Sequence, residues 1–303
     1  MITIVSVSGG LSSAYALKTA IEREGRENVI AVFADVKGSG ASHFWSDLPV
    51  IELLLHERFG GESSELYRFL WRVSNALDMP IKRLEDGRSI WAVFAQARAF
   101  RLFVNNKFFC KASEWLKRET IAQWIEAQGY EPGTYRMALG MSFWEDYRIV
   151  GAQAYWRNRL GWDVDVYSPI ADKSIDPCVM SNWLNDAGIE VSSAYTRGLA
   201  HDNCGGICVQ AGQNQFAEVY QHEPERYQYA AWQENRLRQI VGINATILKN
   251  ERGGIARPMS LHEFELRILA GDWDRRDLGG SCSCFTSPAM VKFLAQTAIK
   301  VQP

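Results

Sequence analysis

The sequence predicts an α/β protein built on a doubly wound, mostly parallel sheet, with a smaller, mainly helical C-terminal region that carries cysteines. Three observations predict it. A β-rich apolar run at residues 1–7 passes through a glycine-serine turn into a segment of helical spacing, and then into a second apolar run at residues 29–34. This β-α-β order is how a parallel sheet begins. Helical and strand-like stretches then alternate as far as residue 168. After Pro169 the texture changes to short helices, loops and clustered cysteines, so the expected division is residues 1–170 and residues 171–303.

The elements follow in order. Tyr15, Leu17, Ala20 and Ile21 recur at helical spacing within residues 12–24, and the second strand ends at Asp35. Residues 37–62 are glycine-rich at both ends and hold a short amphipathic helix, which reads as an insertion or lid over the sheet's carboxyl edge. Residues 66–77 read as a helix, 79–84 as a third strand before the turn Glu85-Asp86-Gly87, and 89–103 as a partly basic helix. Residues 114–128 form another helix, closed by Gly129, and 135–140 and 163–168 read as strands. Beyond Pro169, residues 179–187, 213–220, 223–239 and 261–269 read as helices. Residues 249–258 and the tail from Asp272 read as loops.

Composition narrows the function classes. The chain has 303 residues, 47% of them hydrophobic, ample for a sizeable core. A formal net charge of −2 gives no bulk signal for nucleic acid. Residues 82–118 do interleave basic side chains with Trp91, Phe94, Phe100, Phe103, Phe108 and Phe109, which suits an amphipathic substrate-site helix better than a nucleic-acid face. No apolar run approaches the ~20 residues of a membrane span. The N-terminus reads directly as a strand rather than a signal peptide, so a cytoplasmic location without a membrane partner is expected. His43, His56, His222 and His262 show no triad or zinc-protease spacing, and the GxSxG elbow is absent.

Chemistry is expected first at Ser8-Gly9-Gly10-Leu11-Ser12-Ser13. Two glycines let the backbone turn sharply and point its N–H groups outward. Ser8, Ser12 and Ser13 add hydroxyls, and the following helix adds unpaired amides and the positive end of its dipole. Such a nest suits pyrophosphate. It is neither GxxxxGK[ST] nor GxGxxG. The plain alternative is a tight strand-helix turn without a ligand.

The string SGGLSS resembles the PP-loop of the adenine nucleotide alpha-hydrolase superfamily, the N-type ATP pyrophosphatases, and VFAD at residues 32–35 matches the strand end beside the adenosine. Residues 65–70, Asp86-Gly87-Arg88 with Trp91, Cys110-Lys111 with Leu116-Lys117, Leu139-Gly140-Met141 and residues 144–148 resemble the phosphoadenosine-phosphosulfate (PAPS) reductase-like branch, as does the segment 195–216. The resemblance implies ATP or a related adenine nucleotide, with Mg²⁺, held by Ser8, Gly9, Gly10, Ser12, Ser13 and Asp35. It implies that Lys111, Lys117 and Arg148 meet phosphate or sulfate oxygens, with Arg148 oriented by Glu145, since such cations are the natural partners of these anions. Asp35 and Glu145 are the Mg²⁺ candidates. The Glu-Cys-Gly-x-His tail of true PAPS reductases is missing, so reduction by thiol attack is not expected.

Six cysteines argue against a disulfide framework and for metal or redox chemistry. Cys204 and Cys208 frame CGGIC, with His201 just before, and Cys282 and Cys284 form a CxC. Four thiolates in two clusters suit a tetrahedral Zn²⁺ site or an Fe–S cluster. A buried or redox-prone pair is the alternative. Cys110 and Cys178 are spare thiols.

The expected activity is therefore adenylation. ATP yields AMP and pyrophosphate while a substrate is activated for a nucleophile, in the most attractive version sulfur from a donor protein moving onto a nucleobase or nucleic acid. Two alternatives stay open: a PAPS- or adenylylsulfate-binding or nucleotide-hydrolysing protein with a structural Zn site, and a non-catalytic adenylate-binding regulatory module.

Overall fold

A computed structural model describes residues 1–38, 58–104, 107–145, 147–172, 174–199, 201–250 and 255–277. Its centre is a five-stranded, all-parallel sheet formed by β1 (Ile2–Ser6), β2 (Val29–Asp35), β3 (Ile81–Glu85), β6 (Tyr135–Leu139) and β7 (Asp165–Tyr167). The strand order is β3-β2-β1-β6-β7. The central strand β1 sets Val5 opposite Ala31 on one side and Ala138 on the other. From β1 the chain builds outward through β2 and β3, then returns to the opposite side of β1 as β6. The β1/β6 boundary is thus a topological switch point, where the loops leaving neighbouring strands diverge and leave a crevice at the carboxyl edge.

Helices cover the sheet because both faces are apolar. Val5, Val7, Val29, Ala31 and Phe33 pack on one face against α1 (Leu11–Glu24), α2 (Ser64–Ala76) and α6 (Pro177–Asp186), through Leu17, Leu66, Phe69, Val73 and Leu184. The alternate strand residues Ile4, Val32, Met137 and Leu139 are buried too. Helix α4 (Thr120–Ala127), which buries Ile121, Ala122 and Ile125, packs on β2 and β3, and α5 (Tyr147–Leu160) packs on β7. Each fully buried Leu or Ile contributes about 1.5–3 kcal/mol. Expected and observed bounds agree closely for these elements except α5, a helix that the sequence reading did not include. One difference is that residues 113–119 wind as a π-helical turn (Ser113–Glu119) before α4.

By contact the chain forms two compact units that are interleaved in sequence. The first is Met1–Asp35, Ser64–Asp86 and Leu116–Ser193; the second is Val36–Ser63, Gly87–Trp115 and Ala194–Pro303. Most of the expected insertion at residues 37–62 lies outside the described residues. The helix expected over residues 89–103 is shorter: α3 (Ile90–Ala97) ends at Arg98, whose φ is 52°, and an antiparallel hairpin follows, β4 (Arg101–Val104) with β5 (Lys107–Cys110). The loop expected at 249–258 contains a second small antiparallel pair, β8 (Leu248–Asn250) with β9 (Arg257–Met259). Among the described residues no helix is long and apolar enough to cross a membrane.

The second unit also contains α7 (Gln213–His222), α8 (Pro224–Val241) and α9 (Leu261–Leu269). Its buried centre includes Phe216, Tyr227 and Phe264. The Tyr227 hydroxyl donates to the Leu261 carbonyl at 2.6 Å. Glu234 of α8 is buried and accepts from the Ile247 and Leu261 amides, both at 2.7 Å, so one carboxylate holds the starts of β8 and α9. Burial pushes its carboxyl pKa up from 4.5 to about 7, against the pull of those two amides and of Arg238.

Between pH 4.5 and 7 the folded protein therefore keeps a proton on Glu234 that the unfolded chain has released, and this residue's contribution to stability falls as pH rises through that window. Urea unfolding of wild type and Glu234→Gln across pH 4–8 should show the difference between them shifting by about 3 kcal/mol in the variant's favour by pH 7 and levelling off above it. A difference independent of pH would contradict the assignment.

Candidate functional site

The SGGLSS stretch leaves the carboxyl end of β1 at the switch point and opens α1. Val7 N–H still donates to Val32 O at 2.8 Å, extending the strand by one residue. Gly9 then takes φ +79°, where a Cβ would lie 2.6 Å from Leu66 Cγ of α2. Gly10 is extended (φ −101°, ψ 162°) and caps α1 with its backbone rather than a side chain. The Ser13 hydroxyl is the hub of the turn. It donates to Gly10 O at 2.9 Å and accepts from Ser8 N at 3.1 Å and Ser8 Oγ at 3.2 Å, which uses its whole hydrogen-bonding capacity.

What the hub leaves over is five amides. Among the described residues, the N–H groups of Gly9, Gly10, Leu11, Ser12 and Ser13 find no acceptor. Residues 8–12 are only partly buried, and the first turn of α1 contains no acidic residue to neutralise its dipole. Backbone donors in this state seek water or an anion. The other wall is the loop after β6. A Cβ on Gly140 would stand 2.6 Å from Ser13 Cα and 2.7 Å from Ser13 N, so only glycine lets β6 end directly against the first turn of α1.

Beyond Gly140, Glu145 of a short 3-10 turn pairs with Arg148 in the first turn of α5. The Glu145 side chain is fully buried and accepts from Ser142 Oγ at 3.2 Å, Ser142 N at 3.4 Å and Arg148 Nη1 at 2.6 Å. Burial raises its carboxyl pKa, opposed by Arg148 and Ser142. Arg148 keeps 13% of its side chain exposed, and Glu145 fixes the position of its guanidinium.

The predicted residues separate by unit. Ser8, Gly9, Gly10, Ser12, Ser13, Asp35, Lys117, Glu145 and Arg148 all belong to the first. Asp35 ends β2 with both oxygens in use: Tyr67 Oη donates to them at 2.9 and 2.8 Å, and Arg83 Nε lies 2.7 Å away. Glu145 is similarly occupied, so as arranged neither carboxylate is poised for Mg²⁺. Lys117 is buried in the π-helical turn. Lys111 belongs to the second unit, where its ammonium lies 2.7 Å from Glu114 and 5.5 Å from the Trp115 ring centroid.

Cys204 and Cys208 also lie in the second unit. Cys204, Gly205 and Gly206 take φ of 54°, 62° and 85°, a left-handed turn that the two glycines make accessible. The Cys204 amide donates to Glu62 Oε2 at 2.7 Å. Among the described residues no group of three or more His, Cys, Asp or Glu is placed to hold a metal ion. Cys282 and Cys284, half of the expected ligand set, lie outside the described residues.

Sequence reasoning missed the residues that hold the loop. Three consecutive side chains of α2 each reach a different part of the first unit. Glu65 accepts from Ser192 Oγ and from Ser193, Leu66 backs Gly9, and Tyr67 binds Asp35. Residues 65–70 and Gly140 carried a signal only as motifs of the resemblance, which gave them no role, and Arg83 carried none. No family model matches the sequence, and no curated protein matches it.

The close approach at Gly140 makes a direct prediction. Gly140→Ala should destabilise the protein by ~1–3 kcal/mol, because the obstructing atoms are backbone. Gly151→Ala, inside α5 with nothing within 4 Å of an added Cβ, should stabilise it by ~0.5–1 kcal/mol. Denaturant unfolding of both variants checks this, and equal effects would refute the contact.

Proposed function

We propose that this chain is an ATP-dependent adenylating enzyme of the PP-loop type, similar to the PAPS reductase-like branch but not a PAPS reductase. The observation that carries the reading is the set of five amides at the switch point with no acceptor among the described residues. They converge where an open parallel sheet binds its ligands, on a loop whose sequence resembles a PP-loop.

In this reading the amides of residues 9–13 and the tip of α1 grip the β- and γ-phosphates. A substrate oxygen attacks the α-phosphorus, the bond to the bridging oxygen breaks, and pyrophosphate leaves. Arg148, held by Glu145, stabilises charge developing on the transferred group. Lys117 of the same unit is a further cation for substrate oxygens. AMP is then displaced from the activated substrate by a nucleophile. Sulfur from a donor protein, with a nucleobase or nucleic acid as acceptor, is the version the cysteines favour. Cys204, Cys208, Cys282 and Cys284 would hold an Fe–S cluster or Zn²⁺, and Mg²⁺ would accompany ATP. A cluster held by only three of these cysteines, leaving one iron open, would supply sulfur chemistry, whereas Zn²⁺ held by all four would supply only a staple.

The test is release of pyrophosphate and AMP from ATP after anaerobic purification, with pooled tRNA and DNA as acceptors. Arg148→Ala should lower the rate ~100-fold or more without abolishing ATP binding. Ser8→Ala/Ser12→Ala should abolish ATP binding. Cys204→Ala should lose the metal, read by elemental analysis, and still bind ATP. Unchanged ATP affinity in the serine double variant would defeat the loop assignment.

A further inference from the structure

The second unit contains a cavity of about 520 Å³, in the size range of small-molecule sites. Three places line it: the start of α7, the end of β8 and residues 273–277. Gln213 joins all three. Its N–H donates to Asp277 Oδ2 at 3.1 Å and its Nε2 to the Lys249 carbonyl at 3.2 Å, while its Oε1 accepts from the Asp274 N–H at 3.1 Å. The Asn214 N–H adds a bond to Asp277 O at 3.0 Å. Gln213 is buried, so a side chain with both ends of its carboxamide in use fixes the walls.

The groups that the walls leave over define a ligand. Trp273 is half-buried, and its ring meets the fully buried Phe264 edge-on, at 87° and 6.3 Å between centroids, so packing holds its plane. Arg275 lies 5.4 Å from the same centroid but does not line the cavity. The half-buried Asn250 lines it, and its carboxamide has no hydrogen-bond partner among the described residues. Arg276 also lines it with a side chain 94% exposed, and its Nε stands 3.6 Å from Asp274, which leaves a guanidinium at the rim. A flat ring, an amide that both donates and accepts, and an exposed guanidinium match a base face, a base edge and a backbone phosphate. A neutral sugar would also stack on Trp273, but it would give Arg276 no counter-charge. With a net charge of −2, binding of this kind has to come from stacking more than from a bulk field. Resting on the reading of a nucleic-acid acceptor above, we infer that this cavity receives one unpaired base of a single-stranded nucleic acid. The base stacks on Trp273, Asn250 bonds its edge, and Arg276 meets the adjoining phosphate. Gln213 is a positioning residue. The acceptor class is then a single strand or an extruded base, not an intact duplex.

Fluorescence anisotropy of the full chain with a labelled single-stranded DNA, the matching RNA and the same DNA as a duplex tests the inference. A single strand should bind at least about tenfold more tightly than the duplex. Trp273→Ala should weaken single-strand binding about tenfold, and Trp273→Phe, which keeps a ring, should recover most of it. Asn250→Ala should cost about threefold, and Arg276→Ala should reduce the salt slope by about one phosphate contact. Equal binding of single strand and duplex, unchanged affinity in Trp273→Ala, a loss that Trp273→Phe does not recover, or equal displacement by a neutral oligosaccharide would overturn the inference. Pyrophosphate release from ATP, measured on the same preparation, separates the two readings. Its persistence alongside any of those results leaves adenylation standing, whereas its absence with Trp273-dependent single-strand binding intact overturns adenylation alone.

Discussion

Five backbone amides without an acceptor among the described residues, at the place in the sheet where strand order reverses, are the constraint from which the account of this protein follows. Backbone donors are normally satisfied in folded proteins, and those that are not have water or a ligand as their partner. Here the surrounding structure holds them in that state. Ser13 occupies the Ser8 amide and the Gly10 carbonyl, which stiffens the turn and turns none of its capacity toward the remaining donors. Leu66 lies behind Gly9 and Gly140 lies against Ser13, so side chains that might fill the cradle are excluded by contact with core and backbone. A preorganised donor set of this kind needs little rearrangement when an anion arrives.

Charge differs between the strand ends of the first unit. Arg148 sits in the first turn of α5, fixed through a buried carboxylate that its own positive charge helps keep ionised. At the far ends of β2 and β3 the balance reverses, with Arg83 shared between Asp35 and Glu85. In the second unit a different economy operates: Glu234 secures two backbone amides from within the interior, and that burial makes its carboxyl titrate near neutrality.

The first crossover was legible because its signals are local. A β-branched run, a glycine pair and a 3.6-residue period each follow from neighbouring residues, and together they locate β1, α1 and β2 closely. The β4–β5 hairpin was not legible, because the apolar, alanine-containing stretch of α3 continues into Arg101 and Phe103 without a break that periodicity detects; the stop is made by Arg98 adopting a left-handed conformation. The partners of Asp35 were equally hidden. Tyr67 and Arg83 lie 32 and 48 positions away, and only the assembled sheet brings them to the carboxylate. Gly140 is an intermediate case, since a glycine at a strand end is visible but its contact with Ser13, made across the β1–β6 boundary, is not.

The most direct measurement is a ¹H–¹⁵N titration of the labelled protein with inorganic pyrophosphate. The account predicts saturable shifts concentrated at the amides of Gly9, Gly10, Leu11, Ser12 and Ser13, with the Ser8 amide, already bonded to Ser13, moving less. Saturating pyrophosphate that leaves these resonances in place, or that shifts residues elsewhere in the chain instead, would contradict it.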